Sequence, residues 1–345
     1  MSAPHSTSQP SPKLFFQTMG AYQQTAALKT ALELDLFTAI AEGNKNAETI
    51  AGRCKASERG TRILCDFLVV VGFLTKAEGR YGLTLDSTAF LDRHSPAYLG
   101  GAVEFLGCPE LHESFARLTD AVRKGGTAVS EEGSIVAENP DWVKFARGMA
   151  GMMRMPADLM TERIVADTKK SGGGPVRRVL DIAAGHGMYG IALAQHYPGA
   201  EITALDWRNV LEVAKENAKT AGISSRYHTI PGSAFDVEYG TGYDVVLLTN
   251  ILHHFDPPAC ERLLHKVHAA LNDGGRAVTV EFVPNEDRVS PSEPAAFSLT
   301  MLANTPSGDA YTFSQFDQMF RNAGFRSTEQ HAIPPAFFTV LISRK

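Results

Sequence analysis

Residues 178–190 read RVLDIAAGHGMYG, and this stretch decides the fold. The apolar run VLDI is followed at once by a turn that contains Gly185 and Gly187, and then by residues that open a helix. Glycines at such a strand-to-helix turn let the backbone approach a ligand closely at the N-terminus of the helix. The stretch therefore predicts a ligand-binding crevice at the start of a βα unit.

From about residue 171 onward, strand-like runs alternate with helical stretches. The runs are, in order, RRVLDIA, EITALDW, RYHTIPG, YDVVLLTN and GRAVTVEFV. This alternation predicts a parallel, doubly wound sheet. Two more strand-like runs, FRSTEQHAI and FFTVLISRK, close the chain around Pro334-Pro335, so we expect a final pair of strands.

The front half of the chain has a helical pattern. Apolar residues recur at three- and four-residue steps from Phe15 to about Ile40, which predicts one amphipathic helix. Two shorter helices should follow, with Asn46 and Ser57 as their N-caps. The segment FLTKAEGRYGLT then alternates around a central turn, as in the two-stranded wing of a winged helix. Helical patterns continue from Pro96 to Thr168.

The composition and net charge of the chain argue against some classes of binding partner. A chain of 345 residues with 44% hydrophobic content is long enough for two domains with ordinary cores. The formal net charge of -5 argues against a protein that binds nucleic acid by neutralising phosphates. The four cysteines show no CxxC pair and no metal-ligand spacing. We therefore expect no nucleic-acid partner and no bound metal.

Targeting signals are absent from the sequence pattern. The Ser/Pro-rich start lacks the order of a signal peptide, and we expect a disordered tail over residues 1–12. The most apolar stretch, ILCDFLVVVGFL, is too short to span a bilayer and contains an aspartate. The prediction is a cytoplasmic protein without a membrane partner.

The glycine turn alone leaves two cofactor classes open. GHGMYG satisfies the GxGxxG pattern of dinucleotide folds, and Asp206 lies near the distance expected for a ribose-binding acid. Asp181, however, sits just before the turn, where it would repel a pyrophosphate but suit an ammonium group. The sheet also ends in a strand pair instead of a second mononucleotide-binding half. These features favour S-adenosylmethionine over a nicotinamide or flavin dinucleotide, with an oxidoreductase as the alternative.

A family resemblance follows from the order of five motifs. VLDIAAGHG, ITALDW, PGSAFDVEYG, DVVLLTNILHHF and GGRAVTVEFV are similar to the successive motifs of class I methyltransferases. With its winged-helix front half, nearly the whole chain resembles the dimeric small-molecule O-methyltransferases of bacteria and plants, which include acetylserotonin and caffeate methyltransferases. The resemblance implies an α/β Rossmann-like domain, with a mostly parallel seven-stranded sheet and a C-terminal antiparallel hairpin, behind a mainly α winged-helix domain.

The same resemblance implies a domain plan and an oligomeric state. We expect a winged-helix dimerisation domain over 13–105, a helical linker that lines the acceptor pocket over 106–170, and a cofactor-binding catalytic domain over 171–345. The expected assembly is a homodimer through the N-terminal domain. A DNA-binding regulator is the alternative from another class. Its recognition helix, however, would offer only two basic side chains, Arg59 and Arg62, for contact with DNA.

Cofactor residues are assigned by resemblance. The glycine turn would hold the methionine part, Asp206 the ribose hydroxyls and Trp207 the adenine. The expected cofactor-binding set is Asp181, Gly185, Gly187, Asp206, Trp207, Ser233, Ala234, Phe235 and Asn250. The sequence departs from the family pattern at Ala183, which replaces the first loop glycine, and at Ser233, where an aspartate often contacts adenine. Thr249 replaces a lysine of plant members.

The chemistry requires alignment and a deprotonated acceptor. Alignment is worth about 7–11 kcal/mol in intramolecular reactions, and a general base typically adds about 10²- to 10⁴-fold to the rate. His253, in NILHHF after the run YDVVLLTN, resembles the family's catalytic histidine by position. Glu281, at the end of AVTVE, occupies the place of the acid that hydrogen-bonds this histidine. The expected reaction is methyl transfer to a phenolic or enolic hydroxyl.

Several acceptor chemistries stay open at this stage. A second acid of plant members is missing, since Ala310 stands in the matching stretch. C- or N-methylation, a metal-aided variant with His253 and His254, and a non-methylating use of the cofactor therefore remain alternatives. The expected acceptor pocket combines methionine and aromatic side chains that adapt to a flat apolar molecule. Its residues are Phe145, Met149, Met152, Met153, His254, Phe297, Met301 and Phe338.

Overall fold

The computed structural model describes residues 10–345. Residues 1–9, most of the stretch expected to be a disordered tail, lie outside the described residues. The chain divides into two compact units, one that ends at Val103 and one that begins at Glu104. None of the helices within residues 10–345 is both long and apolar enough to cross a bilayer.

The first unit is mainly helical and carries one small hairpin. Its elements are α1 (Lys13–Met19), α2 (Ala21–Glu33), α3 (Leu36–Ala41), α4 (Ala47–Cys54), α5 (Glu58–Val70), β1 (Leu74–Ala77), β2 (Arg80–Leu83) and α6 (Leu85–Phe90). Both predicted N-caps are confirmed. The Asn46 side chain accepts from the Thr49 N–H at 2.8 Å, and the Ser57 hydroxyl accepts from the Gly60 N–H at 3.1 Å.

The prediction of one helix from Phe15 to about Ile40 was wrong. The chain forms α1, α2 and α3 instead, with a break before α3 at Asp35, whose φ is 57°. A left-handed residue cannot continue an α-helix, and aspartate is among the few side chains that tolerate this conformation. The Asp35 carboxylate is held there by Arg53 at 3.0 Å and Arg93 at 2.9 Å.

The predicted wing is confirmed. Strands β1 and β2 pair antiparallel, with Ala77 opposite Arg80. The two residues between them, Glu78 and Gly79, have φ values of 51° and 75°. Two positive φ values in a two-residue loop match the right-handed twist of the flanking strands. The buried core of this unit includes Leu36, Phe37, Ile50, Leu68 and Leu74.

The second unit combines helices with a large sheet. Four helices come first: α7 (Val103–Leu106), α8 (Pro109–Ala116), α9 (Leu118–Lys124) and α10 (Asp141–Lys170). The α/β part then runs β3 (Arg178–Ile182), α11 (Met188–His196), β4 (Glu201–Asp206), α12 (Arg208–Thr220), β5 (Tyr227–Pro231), β6 (Tyr243–Thr249), α13 (Pro257–Ala270), β7 (Leu271–Glu281), α14 (Ser292–Asn304), α15 (Phe313–Asn322), β8 (Ser327–Ala332) and β9 (Thr339–Arg344).

Strand order confirms the predicted fold class. Among the described residues, seven strands form this sheet in the order β5-β4-β3-β6-β7-β9-β8. Strands β3 to β7 pair in parallel, and β9 runs antiparallel between β7 and β8. The chain winds from β3 to one edge and then returns to β6 on the other side of β3. Ligands of open α/β sheets bind at such a switch point, beyond the carboxyl ends of the strands.

An ion-pair cluster joins α10 to the sheet. Asp167 lies 3.4 Å from the Arg276 guanidinium and contacts that of Arg344, and these arginines face each other on β7 and β9. Arg276 also donates to the Thr168 hydroxyl at 2.5 Å. Burial lowers the pKa of Arg276, and the Asp167 carboxylate offsets part of this effect and compensates the buried charge.

We predict that Asp167→Ala strongly destabilises the second unit. Removal of one partner leaves the buried Arg276 charge uncompensated, which typically costs about 3–5 kcal/mol. Urea denaturation followed by circular dichroism would measure the loss. Lys169→Ala, at an exposed position of the same helix, is the control and should change the unfolding free energy by less than about 0.5 kcal/mol. Equal stabilities for the two variants would contradict the role of Asp167.

Candidate active site

Four strands each present a polar residue at the carboxyl edge of the large sheet. Asp181 lies near the end of β3, Asp206 ends β4, Asn250 follows β6 and Glu281 ends β7. Parallel strands that end at one edge bring these side chains to the same crevice. Asp181 and Glu281 are fully buried, whereas Asp206 and Asn250 are half-buried.

The glycine turn after β3 has the backbone conformation that its sequence predicts. Gly185 and Gly187 have φ values of 56° and 76°. A Cβ atom at Gly187 would lie 2.5 Å from the Tyr227 hydroxyl, so a side chain does not fit there. Ala183 is also left-handed, with φ 53°, at the position where the family usually has glycine. A non-glycine residue in this region stores about 1–2 kcal/mol of strain.

The negative charges of two carboxylates beside this turn are only partly compensated by hydrogen bonds. Asp181 accepts one hydrogen bond, from the Gly190 N–H at 3.2 Å, and its Oδ1 has no partner among residues 10–345. Asp206 accepts from the Gly185 N–H at 2.8 Å and the Trp207 N–H at 2.7 Å. Desolvation raises the pKa of Asp181 to about 7 and that of Asp206 to about 6.

S-adenosylmethionine carries the positive charge and the hydrogen-bond donors that these carboxylates lack. A buried carboxylate oxygen without a partner is costly, and a ligand ammonium group satisfies both its charge and its hydrogen-bonding capacity. A ribose diol supplies hydroxyl donors of the kind that Asp206 accepts. A diphosphate would instead add negative charge beside two acidic side chains, which Coulomb repulsion disfavours.

Three expected cofactor contacts, Ser233, Ala234 and Phe235, form a segment directly after β5 that we refer to as the expected adenine wall. Ser233, Ala234 and Phe235 are half-buried, and the Ser233 hydroxyl accepts from the Phe235 N–H at 3.1 Å. The Phe235 ring meets the edge of Phe255, with 4.9 Å between centroids. Trp207 is half-buried and packs against an apolar cluster of α10 and α12. The segment and the tryptophan thus lie at the ends of neighbouring strands, β5 and β4.

His253 and Glu281 form a buried pair, one after β6 and the other at the end of β7. The His253 Nδ1 lies 2.5 Å from the Glu281 Oε2. The other carboxylate oxygen accepts from the backbone N–H groups of Leu252 at 3.0 Å and His253 at 3.4 Å. Glu281 therefore fixes both the ring and its backbone. With Nδ1 engaged, Nε2 is the ring nitrogen that remains for a ligand.

His254 lies beside this pair in a neutral state. Its ring centroid is 4.4 Å from that of His253 and 5.3 Å from the Trp142 ring. Its Nδ1 has no partner within residues 10–345. Burial, with a smaller contribution from His253, lowers the pKa of His254 well below its usual range. Nowhere among the described residues do three His, Cys, Asp or Glu side chains converge as metal ligands.

A loop after α14 packs on the backbone of the histidine pair. A Cβ at Gly308 would overlap the carbonyl oxygen of His253 and lie 2.9 Å from the carbonyl carbon of His254. The Tyr311 hydroxyl donates to the carbonyl of Phe255 at 2.5 Å. This loop therefore limits how far the segment that carries both histidines can shift.

Aromatic rings cluster next to His253. Phe297 lies 4.9 Å from the His253 ring and stacks on Phe282 at 3.7 Å. Phe338 lies 4.8 Å from Phe282, so it joins the group through that ring. Phe337 stacks on the same ring at 5.7 Å. Phe282 was not among the expected pocket residues, although its position directly after Glu281 at the strand end is the signal that would have found it.

The pocket residues expected from α10 lie against the glycine turn. The Phe145 ring stacks on His186 at 6.1 Å, and the Met153 sulfur accepts from the Tyr189 hydroxyl at 3.6 Å. Among the other expected pocket residues, two are buried and one is half-buried: Met149, Met301 and Met152, respectively. Trp142 was also missed; it lies 5.7 Å from Phe145, one helical turn away.

The sheet topology and the strand-end crevice define the class I methyltransferase fold. An O-methyltransferase domain family matches residues 115–326, and an O-methyltransferase dimerisation domain matches residues 16–93. The chain belongs to this O-methyltransferase family, and its cofactor is S-adenosylmethionine. Membership sets aside the dinucleotide oxidoreductase and the C- or N-methyltransferase as alternatives.

Individual relatives agree with this family. A 3-hydroxy-5-methyl-1-naphthoate 3-O-methyltransferase of Streptomyces sahachiroi is 29% identical over 87% of this chain and 86% of its own length. The crystal structure of a presumed O-methyltransferase from Nostoc punctiforme is 51% identical, with a TM-score of 0.93 over 98% of this chain and 100% of that one. Human N-acetylserotonin methyltransferase in complex with S-adenosylmethionine shares the fold, at 22% identity and a TM-score of 0.84 over 99% of both chains.

We predict that cofactor affinity rises with pH up to about 7. The free Asp181 carboxyl has a pKa of about 7. An ammonium group beside it favours the ionised form, so the bound pKa is lower and binding releases a proton between the two values. Calorimetry with S-adenosylhomocysteine in buffers of different ionisation enthalpy, from about pH 5 to about pH 8, would measure this release. Asp181→Asn should abolish the release near pH 7, whereas Asp206, with a pKa of about 6, contributes at lower pH.

An affinity of the unmodified enzyme that stays constant from about pH 5 to about pH 7 would contradict this prediction.

Proposed function

We propose that this enzyme methylates a phenolic or enolic hydroxyl of a small, largely apolar molecule, with His253 as the general base. The buried His253–Glu281 pair, at 2.5 Å, is the observation that carries the proposal. It lies next to stacked aromatic rings at the carboxyl edge of the sheet. The relative that acts on a hydroxynaphthoate supports an aromatic hydroxyl as acceptor.

The pair has the arrangement that a general base needs. Glu281 accepts the Nδ1 proton of His253, which leaves the lone pair of Nε2 free to take the proton of the acceptor hydroxyl. The carboxylate then stabilises the imidazolium that forms. A phenol with a pKa near 10 is ionised in only about one molecule in a thousand at neutral pH. A base that removes this proton during the reaction lowers the barrier, because the free energy of ionising the phenol at neutral pH no longer adds to it.

Bound S-adenosylmethionine supplies an electrophilic methyl group on a sulfonium. We assign its ammonium group to Asp181, because Oδ1 of that residue lacks a partner among the described residues. We assign the ribose hydroxyls to Asp206 and the backbone of the methionine part to Gly185 and Gly187. The remaining expected contacts are Trp207, Ser233, Ala234, Phe235 and Asn250.

The acceptor is proposed to bind between two groups of rings. Phe297 and Phe282 lie on the His253 side of the crevice, and Trp142 lies beside His254. Flat apolar molecules gain contact area and offset-stacking energy from such walls. His253 is 3% exposed, so its ring sits in a site where water is largely excluded. A low local dielectric strengthens the interaction between His253 and Glu281.

A homodimer is also proposed, formed through the first unit. The match to a dimerisation domain supports it. An exposed apolar row on α1 and α2 also supports it, since Phe15, Phe16, Met19 and Tyr22 are all exposed. Contiguous apolar patches on a soluble protein commonly mark protein–protein contacts. A second copy of this chain is the proposed partner.

We predict that His253→Ala lowers kcat by about 10²- to 10⁴-fold, because the general base is lost. The dissociation constant for S-adenosylhomocysteine should change little, because His253 is not among the assigned cofactor contacts. Glu281→Gln should lower kcat less, since the imidazole remains, although a neutral amide does not stabilise an imidazolium and its single oxygen cannot accept from Nδ1 and the backbone N–H groups at once. Steady-state assays with a naphthol-type acceptor, together with calorimetry, would separate these effects.

Near-normal turnover of the His253→Ala variant would overturn base catalysis by this residue.

We predict that Phe16→Asp combined with Met19→Asp converts the dimer to a monomer. Charges at these two exposed apolar positions would have to be desolvated in the contact, which is costly. Light scattering at micromolar concentration measures the mass. Gln17→Glu, at a polar exposed position on α1, is the control and should leave the dimer intact. A monomeric unmodified protein would refute the proposed assembly.

A further inference from the structure

A single lysine holds the segment after β5 in place. The Lys266 ammonium, on α13, donates to the carbonyl oxygens of Ala234 at 3.1 Å, Phe235 at 2.7 Å and Val237 at 3.0 Å. An ammonium has three N–H donors, and here each is engaged by the same short segment. Lys266 also lies 4.5 Å above the centre of the Tyr239 ring, which is within cation–π distance.

The conformation of this segment depends on that charge. Three carbonyl oxygens that converge on one point repel each other and are costly to leave unpaired away from water. Lys266 supplies the positive charge that their dipoles require. The Tyr239 hydroxyl donates to the carbonyl of Ala234 as well. Tyr239 is in turn held by the Tyr243 hydroxyl, which donates to its carbonyl at 2.8 Å.

The segment leads directly to the neighbourhood of the base. The ring of Phe235 packs on the edge of Phe255, which follows the two histidines. The backbone carbonyl of Phe255 is fixed by Tyr311. Lys266 therefore holds the backbone of a segment whose Phe235 ring contacts Phe255, and its ammonium faces the carbonyl groups of that segment. This arrangement is that of a positioning residue.

We propose that Lys266 is a positioning residue for the adenosine half of the cofactor. It acts through Ala234, Phe235 and Val237 and not by contact with the cofactor. The inference rests on the proposed function, in which Ser233, Ala234 and Phe235 form the adenine wall. A segment fixed before the cofactor arrives loses less conformational freedom on binding, which increases affinity.

The test compares two ligands that share adenosine. Lys266→Met keeps the aliphatic stem and removes the charge. Its dissociation constants for S-adenosylhomocysteine and for 5′-methylthioadenosine, which lacks the amino acid, should both rise by about tenfold, the effect of losing one or two hydrogen bonds. The KM for S-adenosylmethionine should rise more than kcat falls. Lys266→Arg should recover part of the affinity, because it restores charge and donors.

A matched control lies on the same helix. Arg262 is exposed on α13, and Arg262→Met should leave both dissociation constants unchanged. Unchanged affinities in Lys266→Met would overturn the inference, as would a loss for S-adenosylhomocysteine alone. If Lys266→Met does not fold, Tyr239→Phe decides, because it removes only the hydroxyl donor to Ala234. It should weaken both ligands by about two- to fivefold, and unchanged affinities would again overturn the inference.

Phe235→Ala separates this inference from the assignment on which it rests. If Phe235→Ala weakens both ligands but Lys266→Met does not, the role of Lys266 is refuted while the adenine wall stands. If Phe235→Ala leaves both affinities unchanged, the segment is not an adenine wall. The proposed cofactor contacts of Ser233, Ala234 and Phe235 are then refuted.

Discussion

The burial of acidic side chains at one edge of the sheet is the constraint on which the site depends. An ionised carboxylate withdrawn from water costs several kcal/mol unless partners compensate it. Glu281 has an imidazole and two backbone N–H groups, and Asp206 has two N–H groups. Asp181 has one N–H group, and its pKa is raised further than that of Asp206. The need for a ligand cation is therefore greatest at Asp181, beside the glycine turn.

The fold could be predicted because its signals are local. Each strand of the parallel sheet is a short apolar run between helical stretches, and Asn46 and Ser57 cap their helices through residues three positions away. The helix break at Asp35 could not be predicted in the same way. It is stabilised by Arg53 and Arg93, which lie 18 and 58 residues further along the chain. No periodicity within the first forty residues reports those ion pairs.

The residues of the site likewise fall into two groups, those that could be predicted from local sequence and those that could not. Strand-end residues such as Asp181 and Glu281 could be placed together from sequence, because parallel strands end at a shared edge. The contacts among the surrounding side chains could not be predicted in this way. Phe338 was expected in the pocket, and only the fold shows that it packs on Phe282, the ring that stacks directly on Phe297. Lys266 is a basic residue on an amphipathic helix in the sequence, and only the folded chain brings its ammonium to three carbonyl groups.

The loop after α14 packs on the histidine segment without placing a second carboxylate beside His253. Ala310 offers no acid, yet its loop still packs on the histidine segment, through Gly308 against the His253 carbonyl and through Tyr311 on Phe255. Backbone packing restricts position without adding charge. A second carboxylate near His253 would raise the cost of burying Glu281, since like charges in a poorly solvated site repel strongly. The contacts of Gly308 and Tyr311 with this segment are uncharged, and Glu281 is the sole ionic partner of His253 among the described residues.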